Sequence, residues 1–458
     1  MTARFIIVVS AALILSACTS NKQLRTEFVS DNCLWGETNC KNSVLEQYLE
    51  YDLGFIEFTE RGNPYDRDSI QRVLQHIDQE SKSEDGAAVF VFVHGWKHNA
   101  KHNDSNVVQF REFLSRAAEN NVVGERKVIG LYLGWRGAFT NVPILKEATY
   151  WTRKAVAEEV GAGGVTEIFA QLHQILVAQD RQDSTKNSYV IIGHSFGGAI
   201  VLSALHDVLL NDLIAARTSF KETAQSCKKV NRFADALILL NPAIEANKMV
   251  LLKEAAARCK FDHNQAPLMH ILSSDGDIAT RVFFPLGELI NIGSPRDPKK
   301  LKRTINGKNI VLNERHLSLN TAGNLQQFRT AYLSFDKSAL QWRMAQCKDD
   351  LSKCGIRESS QQDNHITVSE HDPLRFIKTD TSFIKNHNDA FSCYVQSFIS
   401  STVFETQFIE NSGHMLSIDD DDQACMTTGD EQFDFMQCFN SQIDNYDCAN
   451  PQQLKWVP

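Results

Sequence analysis

One pentapeptide constrains this chain more than any other stretch: Gly193-His194-Ser195-Phe196-Gly197. It stands between a strand-like run, Tyr189-Val190-Ile191-Ile192, and a helix-like one containing Ala199, Ile200, Val201, Leu202, Ala204 and Leu205. A strand that passes directly into a helix through a G-x-S-x-G turn strains the serine backbone and lifts its hydroxyl above the sheet edge. Glycine two positions to either side removes side chains that would strike neighbouring backbone. The pattern predicts Ser195 as a nucleophile, and Gly198 adds a small residue for close helix–sheet packing. The competing reading is a glycine-rich turn with an ordinary exposed serine.

The surrounding chain fits a sheet that presents such a turn. Val89-Phe90-Val91-Phe92-Val93 is a continuous apolar run, as expected of a strand buried on both faces, and it ends in His94-Gly95-Trp96. Shorter runs at Phe55–Phe58, Val128–Leu133, Ala236–Leu240 and Leu268–Leu272 read as further strands, with a helix expected near Arg67 to Gln79. Apolar runs alternating with helical stretches predict an α/β fold: a mostly parallel, doubly wound sheet with helices on both faces. The site then lies at the carboxyl ends of the strands.

Three segments carry a resemblance. VFVHGWKHNAKHNDSNVVQFREFL (91–114), GLYLGWRG (130–137) and IIGHSFGG (191–198) resemble the serine esterase/lipase branch of the α/β-hydrolase superfamily. They are most similar to a bacterial group of hydrolase-type lipoproteins sharing HGW, GWRG and GHSFGG segments. The resemblance spans residues 53–289 and thins beyond. It implies an α/β-hydrolase fold whose oxyanion hole uses the backbone N–H groups of Trp96 and Phe196. It also implies the chain order nucleophile, acid, histidine. His94, just before the oxyanion loop, reads as a brace for that loop rather than as a base.

For the acid, Asp275 and Asp277 both follow the Leu268–Leu272 run. The similarity of SDGDIAT (274–280) to the family's acid loop points to Asp277. For the base, His316, His365, His371, His387 and His414 follow the acid. His387 lies between a last strand-like run, Arg375–Thr379, and a helix-like one with Ala390, Phe391, Tyr394, Val395 and Phe398. Its NHND context also resembles the family's terminal motif. His414, in Ser-Gly-His, is the alternative.

The amino terminus has Arg4, an apolar run from Phe5 to Leu15 and small residues before Cys18. This reads as a signal peptide, residues 1–17, too short to span a bilayer. Leu15-Ser16-Ala17-Cys18 resembles a lipobox, which implies lipidation of Cys18, a membrane anchor in the bacterial envelope and, with Thr19 following, the outer membrane. Of eleven cysteines the other ten form an even set, expected to pair in an exported chain. Cys33/Cys40, Cys347/Cys354 and Cys227/Cys259 are neighbours or bracket one segment. Cys393, Cys425, Cys438 and Cys448 remain, and the connectivity stays open.

The net charge of −9 argues against nucleic acid. No metal or cofactor is expected, and the acidic run Asp419–Asp422 reads as a solvated loop. The expected layout is a lipidated linker over 18–45, a hydrolase domain over 46–403 with insertions near 217–232 and 295–372, and a disulfide-tied extension over 404–458. The insertions are expected as caps, while 150–176 reads as a sheet-covering helix pair broken at Gly161, Gly163 and Gly164. The function implied is hydrolysis of carboxylic esters, small or lipid. The alternatives are acyl transfer or amide cleavage with the same triad, or a non-catalytic surface lipoprotein that keeps the fold.

Overall fold

A computed structural model of the chain describes residues 22–28, 40–119, 123–137, 150–178, 186–219, 225–290, 299–305, 308–347, 371–410, 433–445 and 448. Ten strands make one sheet: β1 (Leu45–Gln47), β2 (Tyr51–Glu57), β3 (Ala87–Val93), β4 (Lys127–Gly134), β5 (Ser188–His194), β6 (Ala236–Leu240), β7 (Met269–Ser274), β8 (Ala331–Asp336), β9 (Gln341–Gln346) and β10 (Leu374–Thr379). Their order across the sheet is β1-β2-β4-β3-β5-β6-β7-β10-β8-β9. Only the outermost pairs, β1 with β2 and β8 with β9, are antiparallel. All pairings between them are parallel, so the carboxyl ends of β2 to β7 and of β10 share one edge.

The strands are apolar because both faces are covered. In β3 the residues Val89, Val91 and Val93 enter one core, and Phe90 and Phe92 enter the other. The first core is closed by helices α1 (Arg67–Ser81), α3 (Tyr150–Val160), α4 (Thr166–His173), α5 (Phe196–Ala215) and α6 (Val250–Ala257). The second is closed by α2 (Ser105–Glu119) and, toward the β10 side, by the helices 393–410 and 435–445. Each large side chain buried there contributes about 1.5–3 kcal/mol relative to exposure.

The helix pair over 150–173 breaks at its glycines. Gly163 leaves the helical region (φ −96°, ψ −124°), and a Cβ on Gly161 would lie 2.4 Å from the Ile200 carbonyl oxygen. The break lets α3 press directly on α5. Among the described residues α5 is the one helix long and apolar enough to cross a membrane, and its inner face lies in the core.

Three segments are placed differently from their sequence-based expectation. Within the linker the described residues 22–28 and 40–45 are packed: Arg25 is 1% exposed, and its guanidinium bonds to Glu46 and to the Ala100 carbonyl. The described part of the stretch over 295–372 is not all insertion. It holds a hairpin (Lys300–Ile305 with Lys308–Asn313), a short helix α8 (Glu314–Leu319), and then β8 and β9, which extend the central sheet. The expected boundary at 404 falls inside an unbroken helix, α9 (Cys393–Glu410), on which α10 (Phe435–Asn445) packs. Disulfides join Cys227 to Cys259 and Cys393 to Cys448, and Cys40, Cys347 and Cys438 are disulfide-bonded too. The signal segment, Cys18, Cys33, Cys354, Cys425, His365, His414 and Asp419–Asp422 lie outside the described residues.

Candidate active site

Ser195 joins β5 to α5 with φ 56° and ψ −119°, a left-handed conformation that costs a non-glycine residue of the order of 1–3 kcal/mol. The surroundings hold it there. Its N–H donates to the Leu240 carbonyl, and its carbonyl accepts from the N–H groups of Gly198 and Ala243. A Cβ on Gly197 would stand 1.9 Å from the Val93 carbonyl oxygen, so only glycine lets the elbow seat against the end of β3.

Asp277 follows β7, and His387 lies in the connection from β10 to α9. The structure brings both to Ser195. The Ser195 hydroxyl lies 2.7 Å from His387 Nε2, and His387 Nδ1 lies 2.9 Å from Asp277 Oδ1. An ionised carboxylate only accepts, so it places the ring proton on Nδ1 and leaves the Nε2 lone pair facing the hydroxyl. Asp277 is fully buried. Burial works to raise its carboxyl; the His387 contact, with the Thr280 hydroxyl (2.5 Å) and N–H (3.1 Å), outweighs that and holds it below the usual carboxylate range. Asp275 points elsewhere, toward Lys378 at 3.3 Å and the Tyr332 hydroxyl at 3.4 Å. His316 lies on α8, and His371 lies before β10.

The His387 loop is fixed from several sides. The Lys385 N–H donates to Asp389, the Asn388 N–H to Asn386, and the Ser274 hydroxyl to the Ile384 carbonyl at 2.5 Å. His194 Nε2 donates to the His387 carbonyl at 2.6 Å. Burial drives the His194 imidazole down to about 3, so it stays neutral while it orients the neighbouring ring's backbone. Sequence reasoning passed over His194 and Thr280. The signal for each is adjacency, one residue before the serine and three after the aspartate.

The His94-Gly95-Trp96 turn lies against the serine. A Cβ on Gly95 would come within 2.8 Å of Ser195 Cβ. His94 is fully buried, stacked between Tyr132 and Trp135; its Nδ1 donates to the Gly95 carbonyl and its Nε2 accepts the Trp135 N–H. Burial lowers it to about 4, so it braces the turn as a neutral ring. Phe196 is the first helical residue, where an N–H has no intrahelical acceptor. Neither its N–H nor that of Trp96 is taken up by a hydrogen bond among the described residues. The side chains of Trp96, Tyr150 and Phe196 form an aromatic wall, with ring centroids 5.1–6.3 Å apart. The segment after Asp277, including α7 (Phe284–Ile290), exposes Ile278, Val282, Phe283, Leu286 and Leu289, each 46–64% accessible. At helical spacing these five fall on one face.

A strained serine, an imidazole within hydrogen-bond reach of it, a buried carboxylate behind that ring and free N–H groups alongside are the parts needed for acyl transfer to a hydroxyl. No cluster of His, Cys, Asp and Glu able to hold a metal ion occurs among the described residues. Comparisons with family models, with curated proteins and with solved structures found no match.

Proposed function

We propose that this chain is a serine hydrolase of α/β-hydrolase architecture that cleaves carboxylic esters through an acyl-enzyme. The observation that carries the reading is the unbroken hydrogen-bonded series Ser195–His387–Asp277 at the carboxyl edge of the sheet. Ser195 Oγ attacks the ester carbonyl as His387 Nε2 takes its proton, and Asp277 stabilises the resulting imidazolium. The oxyanion forms beside the Trp96 and Phe196 N–H groups, which are in place before reaction; one such donor is worth about 3 kcal/mol. The imidazolium then protonates the leaving alkoxide. Water, activated by the same ring, attacks the acyl-serine and releases the acid. The aromatic wall and the exposed apolar face after Asp277 favour an apolar ester, small or lipid, as substrate.

A fluorophosphonate probe should label the full chain and not Ser195→Ala, and p-nitrophenyl esters of short and long chain should be turned over by the wild type alone. Labelling that survives the substitution would refute Ser195 as the nucleophile. Anchoring through Cys18 in the bacterial envelope, at the outer membrane, belongs to the same proposal, resting on the short apolar leader and the lipobox-like Leu15–Cys18. Cys18→Ser should abolish metabolic labelling with palmitate and release the protein from membranes.

A further inference from the structure

Behind Asp277 a second series of side chains runs away from Ser195. Thr280 Oγ1 donates to Asp277 Oδ2, Asn324 Nδ2 donates to Thr280 Oγ1 at 3.0 Å, and Lys378 Nζ donates to Asn324 Oδ1 at 2.9 Å. The direction of these bonds is set from the far end. An ammonium has three donors and no acceptor, so the Asn324 carbonyl oxygen faces it and the amide NH₂ faces Thr280. Thr280, having accepted, turns its own proton to the carboxylate. The other Asn324 donor reaches Thr321 Oγ1 at 2.8 Å, and Lys378 Nζ also reaches the Ser274 carbonyl at 3.1 Å.

Lys378 is an unusual occupant. It stands in β10, opposite Ser273 of β7, and its side chain is 4% exposed. A buried ammonium carries a desolvation cost that an apolar side chain of similar length would avoid. The charged groups facing it are Asp275 at 3.3 Å, Arg281 from the turn after Asp277, and Arg329 ahead of β8; Tyr332 of β8 bonds to Asp275. Two of those neighbours are cations, so local charge balance does not explain its presence.

We propose that Lys378 is a positioning residue for the Ser195–His387–Asp277 series: its ammonium, acting through Asn324 and Thr280, keeps the Asp277 carboxylate ionised and aimed at His387 Nδ1. The proposal rests on the hydrolase reading. A neutral amine can still donate to Asn324, so loss of the Lys378 proton removes the charge while the hydrogen-bonded connection persists. Burial, opposed by Asp275 and aided by Arg329 and Arg281, brings the Lys378 ammonium down to about 8. Activity should therefore decline on the alkaline side far earlier than an ordinary lysine would allow.

The test uses the full chain, p-nitrophenyl butyrate from pH 6 to 10 with the Ser195→Ala rate subtracted, and fluorophosphonate labelling at pH 7. The wild type should lose kcat with a midpoint near pH 8. Lys378→Arg, whose guanidinium keeps its proton, should carry activity to higher pH. Lys378→Met should lower kcat about 10- to 100-fold at pH 7, with KM within about twofold and no decline near pH 8. Should Lys378→Met not fold, Asn324→Leu breaks the connection with the ammonium left in place and should also lower kcat. A wild-type profile flat from pH 7 to 9.5, or a decline near pH 8 that persists in Lys378→Arg, overturns the proposal. If Ser195 labels in either of those cases, only the role of Lys378 falls; if the wild type does not label at all, the hydrolase reading falls with it.

Discussion

Replacing Glu46 by alanine should be among the most damaging single changes outside the active site. The Glu46 carboxylate is fully buried and receives four hydrogen bonds: from Arg25 Nη1 (2.7 Å), Arg111 Nη2 (2.7 Å), Arg111 Nε (2.8 Å) and the Tyr48 hydroxyl (2.9 Å). Both guanidinium side chains are 1% exposed. Alanine leaves two buried cations with no anion between them, and breaking a buried pair in this way costs about 3–5 kcal/mol. With two partners stranded, the upper end is expected. At about 2.1 cal/mol/K of unfolding entropy per residue, a chain of 458 residues converts that into a fall in Tm of about 5 °C. The loss should depend on pH with a definite sign. Burial opposes the charge on Glu46, but Arg111, His102 and Arg25 overcome it and hold the carboxyl far below its usual 4.5. A depressed carboxyl stabilises above the unfolded value and loses that contribution as pH falls through the folded one. The gap between wild type and variant should thus be full at pH 7 and shrink below about pH 4.5. Urea unfolding at pH 7 and pH 4 measures both. A difference under about 1 kcal/mol at pH 7 would refute the argument.

Asp277→Asn should lower kcat about 10⁴-fold, because an amide can present N–H to His387 and favour the wrong tautomer; Asp275→Asn should lose far less, which ester turnover would show. Glu57→Gln should raise Tm at pH 8 and leave it unchanged near pH 4.5. Burial raises the Glu57 carboxyl from 4.5 to about 7 against the Arg25 and Leu24 N–H groups that bond to it, so the folded state loses stability as pH rises through that window. The difference at pH 8 should reach about 3 kcal/mol, and a lower Tm for the variant there would contradict it. Replacing Cys393 and Cys448 together by alanine frees a loop of 55 residues and should cost about 4 kcal/mol by chain entropy, read by denaturant unfolding.

The core of the sheet was legible because strands covered on both faces must be apolar throughout, as in Ala87–Val93 and the run Tyr189–Ile192. Ser195 and His387 were legible for a related reason: each follows such a strand, so the end of a run marks the site's edge; the strand end narrows the acid to Asp275 or Asp277, and the resemblance at 274–280 points to Asp277. β8 and β9 were not legible, since along this edge pair only scattered positions such as Leu333 and Trp342 face the core. In Ala331–Asp336 only Ala331 and Leu333 are buried, and the segment reads as polar filler. The packing of residues 22–28 was not legible because one arginine, Arg25, holds that segment through side-chain and backbone partners far away in sequence. Lys378 lies within the strand-like run Arg375–Thr379, and nothing in that run signals that the lysine points inward. Its burial depends on Asn324 and Asp275, which the sequence places 54 and 103 positions away.

The separation between the reacting groups gives the chain a built-in delay. Ser195 and His387 are 192 positions apart, and Asp277 and His387 are 110. β10, which leads into His387, can join β7 only once the intervening hairpin, α8, β8 and β9 have been made. A chain emerging amino terminus first therefore carries its elbow serine through most of synthesis before the imidazole that bonds to it has been made. The serine is an ordinary alcohol until nearly the whole polypeptide has collapsed.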